Sequence, residues 1–277
     1  MSLIKFDMEL CSHCGACAFE CPVRIIKLVG GNPSVVEERA PTCIHCGHCV
    51  CVCPDSALTH EDYGPADCPL SGEAPSEADI ERIIRRRRSV RAYKNKPVER
   101  DVMEKLIRIA RYGPTASNSQ LVGWIAIDNR EGVKEVSDHV IQWMAKLVKW
   151  RHPAARKGYD FKRLIEAYEA GLDVITRRAP ALVITHAPKS HHFGVIDSTI
   201  ALTSMDIAAP SLGLGTCWGG FIMAAAGDHK PLQKHVGIPK GHVFTGAMMI
   251  GYPKYEYHRL PQRNEPQITW LGGTAPI

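Results

Sequence analysis

Nine of the eleven cysteines in this 277-residue chain fall between positions 11 and 53, and their spacing repeats. Cys11, Cys14, Cys17 and Cys21-Pro22 align with Cys43, Cys46, Cys49 and Cys53-Pro54; both runs read C-x2-C-x2-C-x3-C-P. Thiolates are metal ligands, and three of them spaced by two residues wrap a loop around one compact centre. Gly15 and Gly47 let the backbone approach that centre and aim N–H donors at it. Paired C-x2-C units also bind zinc. Zinc, however, takes four ligands per ion and has no use for a third cysteine at the same spacing followed by Cys-Pro. The pattern therefore points to iron–sulfur chemistry.

The run resembles the one by which bacterial two-cluster ferredoxins hold a pair of 4Fe–4S clusters. That resemblance implies that the fourth cysteine of each run, turned away by its proline, ligates the other cluster. Cluster one is then expected on Cys11, Cys14, Cys17 and Cys53, and cluster two on Cys43, Cys46, Cys49 and Cys21. Cys51 is expected to be a small buried side chain rather than a ninth ligand. His13, His45 and His48 are expected to shape the cluster surroundings.

A second group of reactive types begins with four arginines at 85–88, followed by Ser89, Val90 and Arg91. Guanidinium forks match phosphate oxygens, and Ser89 adds a hydroxyl, so a compact phosphate site suits these residues. A nucleic-acid patch would want aromatic or further basic companions nearby, and they are lacking. Gly213 and Gly215 are no dinucleotide fingerprint, because they follow a helix and the third glycine position is Trp218. Cys217 is expected to be a buried apolar side chain. Trp218 reads either as core or as a ring contact, and Asn118 either as a helix cap or as a ligand contact. His191-His192 is expected on a surface loop.

Arg87-Arg88-Ser89-Val90-Arg91 resembles the R-R-S-x-R opening of the nitroreductase-like flavoprotein family. The segment from Gly113-Pro114-Thr115 through Asn118 to Gln120 is similar to that family's P-S-x-x-N-x-Q. Gly213 to Gly220 resembles its glycine-rich loop, and Gly251-Tyr252-Pro253 with Arg259 and Arg263 its C-terminal end. The resemblance covers about residues 77–277 and implies FMN. Arg87, Arg88, Ser89 and Arg91 would bind its phosphate and ribityl chain, and Arg263, with Arg259, would close on the phosphate. Pro114, Thr115 and Asn118 would lie near the isoalloxazine, contributed by the other subunit of an intertwined homodimer. Cys217, Trp218 and Gly219 would face the ring from the other side. Residues 266–270 could form an arm that pairs with the second subunit. The family's Q-P-W is replaced by Gln120-Leu121-Val122-Gly123-Trp124, and 131–170 aligns with nothing in it.

Positioning these groups requires two units. Residues 1–60 form the expected cluster domain and 61–76, with Pro65, Pro69 and Pro75, a linker. From 77 the periodicity is that of longer helices. Ser76 can cap a helix carrying Ile80, Ile83 and Ile84, and a second helix starts near Arg100 and stops at Gly113-Pro114. Residues 121–127, 181–185 and 243–250 read as strands, with two helical stretches within 131–170 and another helix at 196–212. The fold class is α+β: a small ferredoxin-like domain, then a nitroreductase-like domain whose resemblance implies helices around a mainly antiparallel sheet.

The composition is that of a globular protein, with 45% hydrophobic and 23% charged residues and net charge +5. No apolar run could span a membrane, and the first residues lack the apolar stretch of a signal peptide, so a cytoplasmic protein is expected. Cysteines so grouped in such a chain indicate metal or redox chemistry rather than disulfides. Clusters move single electrons, whereas a flavin collects two. The expected activity is therefore transfer from a low-potential donor, a ferredoxin-like protein or reductase, through both clusters to FMN. From FMN the electrons would reach a small nitro, quinone or enone acceptor. The competing reading is an electron carrier or redox sensor whose flavin domain docks a protein. Neither nucleic acid nor a membrane is expected as a partner.

Overall fold

The computed structural model describes residues 3–155 and 159–271. Residues 156–158, inside the expected helical stretch 131–170, lie outside the described residues, as do 1–2 and 272–277 at the ends of the two expected domains.

The N-terminal unit is built from β1 (Ile4–Phe6), α1 (Ala16–Glu20), β2 (Ile26–Val29), β3 (Asn32–Val35), α2 (His48–Cys51) and β4 (Leu58–His60). β1 pairs antiparallel with β4, and β2 with β3. A shift of 32 residues carries the first cysteine run onto the second, and the backbone follows it. His13 and His45 (φ 58° and 51°), Gly15 and Gly47 (77° and 75°), and Arg24 and Ser56 (53° and 55°) are left-handed at matching positions. These turns curl each loop so that its thiols converge. Beneath the loops Ile4, Ile25, Ile26, Val50 and Leu58 form a core. Aliphatic cores this small lean on a metal or another covalent staple. Residues 61–68 belong with this unit: Tyr63 O accepts the His60 N–H (3.0 Å), and Cys68 packs on the core. Leu70, farther along the expected linker, is 98% exposed.

The second unit opens with α3 (Glu77–Arg86), where Ser76 Oγ accepts the Asp79 N–H (3.2 Å), the cap that the residue types imply. Then follow α4 (Arg100–Ala110), β5 (Gly123–Ile127), α5 (Arg130–Lys149), α6 (Phe161–Glu169), β6 (Ala181–Pro188) and α7 (Gly194–Ala208). β7 (Gly215–Trp218), α8 (Gly220–Ala226), α9 (Lys230–His235) and β8 (His242–Gly251) complete it. The sheet order is β5-β6-β8-β7, antiparallel throughout. α5, α8 and α9 cover one face over Leu182, Ile184, Ala247 and Met249. α4 and α7 cover the other over Ala181, Val183, Met248 and Ile250. With both faces buried, β6 and β8 read as continuous apolar runs.

The expected helix 196–212 divides at its end into α7 and a 3-10 turn at Ala209–Leu212, because Pro210 has no N–H to continue the ladder. The expected glycine-rich loop contains β7, an edge strand. Gly215 is glycine because a Cβ there would lie 2.4 Å from Val90 Cγ2 and 2.9 Å from Pro253 Cγ. Helix α3 buries none of its residues: Ile80, Ile83 and Ile84 are all more than 40% exposed.

Candidate functional site

The crossed pairing of cysteines is built into the N-terminal unit. Cys11, Cys14, Cys17 and Cys53 line one small cavity, closed by Phe6 and Leu58. Cys21 sits instead with the second run. Burial pushes the Cys49 thiol up to about 12, and the charges of Cys46, Cys21 and Cys43 push the same way. Cys17 is raised by burial and then by Cys53 and Cys11, and Cys43 by burial and then by Cys46 and Cys21. Thiols crowded in this way stay protonated unless a cationic centre takes the place of their protons. Backbone donors are already aimed at the sulfurs: Ile25 N–H at Cys21 Sγ (3.4 Å), Ala57 N–H at Cys53 Sγ (3.3 Å) and His45 N–H at Cys43 Sγ (3.4 Å). Four converging thiols with N–H donors fit an iron–sulfur centre in each half.

Cys51 differs from the expectation. The single turn of α2 sends Val50 inward and leaves Cys51 exposed, beside Cys68.

The loop from Gly113 to Gln120 joins the two units. Ser117, Asn118 and Gln120 all have φ near +50° (52°, 51° and 49°), a conformation non-glycine residues adopt at a cost of about 1–2 kcal/mol each. The loop is held in that shape by Asp197, 2% exposed in the first turn of α7. Asp197 Oδ1 accepts the Ala116 N–H (3.1 Å), and Oδ2 lies 2.7 Å from His191 Nε2 and 3.5 Å from Ser119 Oγ. His191 is thus an anchor with a side chain only 12% exposed, not a surface residue. Its carboxylate partner lies six residues on and reaches it because the chain turns into α7. So constrained, Asn118 donates from Nδ2 to Ile44 O (3.1 Å) and His45 O (2.9 Å). It does not cap a helix. It binds the loop between Cys43 and Cys46. Thr115 Oγ1 accepts the Gln120 N–H (3.0 Å), and Pro114 opens the loop.

At the other end of the unit the arginines gather. Arg87 Nη1 pairs with Asp206 Oδ2 (2.8 Å), and Asp206 also accepts the Thr216 hydroxyl. Arg85, Arg87, Arg88 and Arg263 line a cavity of about 460 Å³; Arg259 is not among its walls. Arg88 also borders a neighbouring cavity of about 360 Å³ walled by Gly215, Thr216 and Tyr257, its guanidinium 5.8 Å from the Tyr257 ring. Ser89 bridges to Thr216, and the Val90 N–H donates to Thr216 O (2.8 Å), which fixes the arginine segment along β7. Arg91 Nη1 donates to Ser89 O (3.3 Å).

Adjacent strand residues point to opposite faces. Cys217 therefore enters the core under α5 and α8, while Trp218 packs toward α4 and α7. Their two side chains cannot face the same ring. The Cys217 thiol is raised by burial, with Arg91 and Arg177 acting against that shift. Gly219 lies close to Ile222 and Ala247, and its N–H donates to Ala247 O (2.9 Å). Sequence reasoning missed Asp206 and Asp197, which carry no motif and act through an ion pair and hydrogen bonds to residues distant in the sequence.

Residues 84–252 match the nitroreductase family, and residues 10–58 match the 4Fe-4S dicluster domain. A putative NADH dehydrogenase/NAD(P)H nitroreductase of Archaeoglobus fulgidus is 26% identical over 179 residues, 63% of this chain and 86% of that protein. The NAD(P)H-dependent FMN reductase of Bacillus subtilis is 29% identical over 180 residues, 63% of this chain and 67% of that one. A nitroreductase structure with bound FMN from Bacteroides fragilis superposes with a TM-score of 0.58 at 22% identity. That alignment covers 71% of this chain and all of the other, and it shows a common fold.

Proposed function

The chain belongs to the nitroreductase family, with a 4Fe-4S dicluster domain ahead of the nitroreductase domain. On that premise we propose that it is a reductase in which two iron–sulfur centres supply an FMN. A flavin accepts electrons singly and releases them singly or as a hydride. Arg87, held in place by Asp206, joins Arg88 and Arg263 in binding the FMN phosphate. Arg91 and Ser89 continue along the ribityl side, and Cys217 and Gly219 offer backbone rather than side-chain contacts. Two sets of four cysteines hold the two centres, as assigned above.

A homodimer completes the ring site, with Pro114 and Thr115 reaching the pocket of the second subunit. This is supported by apolar surface that one chain leaves uncovered: Ile80, Ile83 and Ile84 on α3, Val195 and Ile196 on α7, and Ile268 and Trp270 in the extended C-terminal segment. The electrons come from a low-potential protein donor and leave to a small nitro, quinone or enone acceptor. Among the described residues no helix is long and apolar enough to cross a membrane.

The observation that carries this reading is the bonding of Asn118 to Ile44 and His45. It ties a loop of the nitroreductase domain to the loop that bears three of the cluster-two thiols. The test is anaerobic purification with iron, sulfide and flavin analysis, then an acceptor screen on the reduced protein. About eight iron atoms and one FMN per chain are expected. Iron near zero, or no flavin, would overturn the proposal, and a reduced flavin that no acceptor reoxidises would favour the carrier.

A further inference from the structure

The two cysteine loops are related by the 32-residue shift, yet their surroundings are not alike. Over the first loop lie apolar side chains: a Cβ on Gly15 would meet Leu28 Cδ1 at 3.0 Å and Phe19 Cε2 at 3.4 Å. The shift carries Leu28 onto His60. Over the second loop lie hydrogen-bonding groups instead, with Tyr63 OH 2.8 Å from the corresponding point at Gly47.

The His60 side chain is 1% exposed, and its ring stacks on Tyr63 with centroids 5.2 Å apart. Its proton can be placed. The Asp62 backbone N–H donates to His60 Nδ1 (3.2 Å), and a backbone N–H can only donate, so Nδ1 carries the lone pair. The proton of the neutral ring is then on Nε2, which lies 3.6 Å from Cys43 Sγ. Asp62, meanwhile, is engaged by His45 Nδ1 at 2.6 Å, too close for a cation held between them at about 2.0–2.2 Å from each ligand.

Cys43 therefore receives two N–H donors, from the His45 backbone and from His60. No equivalent bond to Cys11 exists in the first loop among the described residues. Hydrogen bonds to cluster sulfurs favour the more negative, reduced state and raise the reduction potential.

We infer that His60 is a positioning residue that raises the potential of cluster two above that of cluster one by donating from Nε2 to the Cys43 thiolate. Electrons entering at the apolar, exposed first loop then come to rest at the centre beside Asn118 and the nitroreductase domain. This deepens the proposed function and rests on its assignment of two iron–sulfur centres.

The test is an EPR-monitored redox titration of the full, iron-loaded chain. His60→Leu gives the second loop the side chain found at the matching position in the first. The upper of the two midpoints is expected to fall by about tenfold in its reduction equilibrium, about 59 mV for a one-electron couple, while the lower stays fixed. His60→Gln, which keeps an N–H donor, should restore most of the shift. Midpoints unchanged in His60→Leu would overturn the inference, as would equal shifts of both. Should His60→Leu lose iron, the wild-type chain labelled with 15N-histidine decides. A nitrogen coupling on the centre reduced first, absent in His60→Gln, is expected, and no such coupling would overturn the inference. A chain with iron but no flavin would defeat the proposed function and leave this titration intact, whereas unmoved midpoints defeat this inference alone.

Discussion

Replacing Asn118 by Asp keeps the shape of the side chain and removes both hydrogens that it shares with the cluster-two loop. The amide donates to Ile44 O at 3.1 Å and His45 O at 2.9 Å. Each such bond contributes about 0.5–1.5 kcal/mol net, so the pair accounts for about 1–3 kcal/mol of docking between the two units. That corresponds to about 5- to 150-fold in the ratio of docked to undocked forms. The aspartate also sets a carboxylate against two carbonyl oxygens, which puts the effect toward the upper end. The assay is single-turnover transfer after rapid photoreduction of the iron–sulfur centres, with the rate expressed per bound flavin. Asn118→Asp should raise the undocked fraction, read as protease cleavage in 69–76, at least fivefold and slow flavin reduction, with the unfolding midpoint of each unit unchanged. Transfer and cleavage both at wild-type rates would refute the idea that this bond pair couples the halves.

Asp197→Ala removes the buried acceptor that ties Ala116 N–H and His191 to α7 and strands those partners in the interior. It should destabilise the nitroreductase domain by about 3 kcal/mol in urea denaturation, and a loss below about 1 kcal/mol would contradict the anchoring role. Burial holds His139 and His229 below the usual histidine range; His235 reinforces this at His139 and Lys146 at His229, while Asp138, Glu135 and Asp228 oppose it. The unfolded chain therefore binds more protons below about pH 6.5, so stability is full above that pH and declines as the pH falls toward 5. Denaturation of the wild type between pH 5 and 8 should show this slope, and a His139→Gln/His229→Gln chain should flatten it. A flat wild-type profile would show that neither ring is held neutral.

How much of this was legible before the fold depends on the range of the interaction. The cysteine runs could be read because a loop that wraps one centre takes three thiols from a few consecutive residues. The left-handed turns at His13 and Gly15, repeated at His45 and Gly47, are local consequences of the same spacing. The arginine cradle was also legible in part, since Arg87 and Arg88 are neighbours in sequence and Arg263 follows the C-terminal motif. Other sites depend on tertiary packing. Cys51 turns outward because α2 is one turn long, and Cys217 turns inward because β7 is a strand rather than a loop. At Asn118 the shared motif points to a ring contact and says nothing of a bond to the other unit. Its partners, the carbonyls of residues 44 and 45, lie more than seventy residues away in a different unit and leave no trace in side-chain types. His60 fell at the edge of the expected linker, where a lone histidine carries no signal until the 32-residue shift pairs it with Leu28.

The central claim is that electrons reach the flavin through the cysteine-held centres, and anaerobic stopped-flow reduction by a low-potential protein donor tests it most directly. Iron–sulfur absorbance should bleach first, and flavin reduction should follow at a rate independent of donor concentration. In Cys46→Ala, which removes a proposed ligand of cluster two, flavin reduction by that donor should be lost. Flavin reduced as fast in Cys46→Ala as in the wild type would contradict the account.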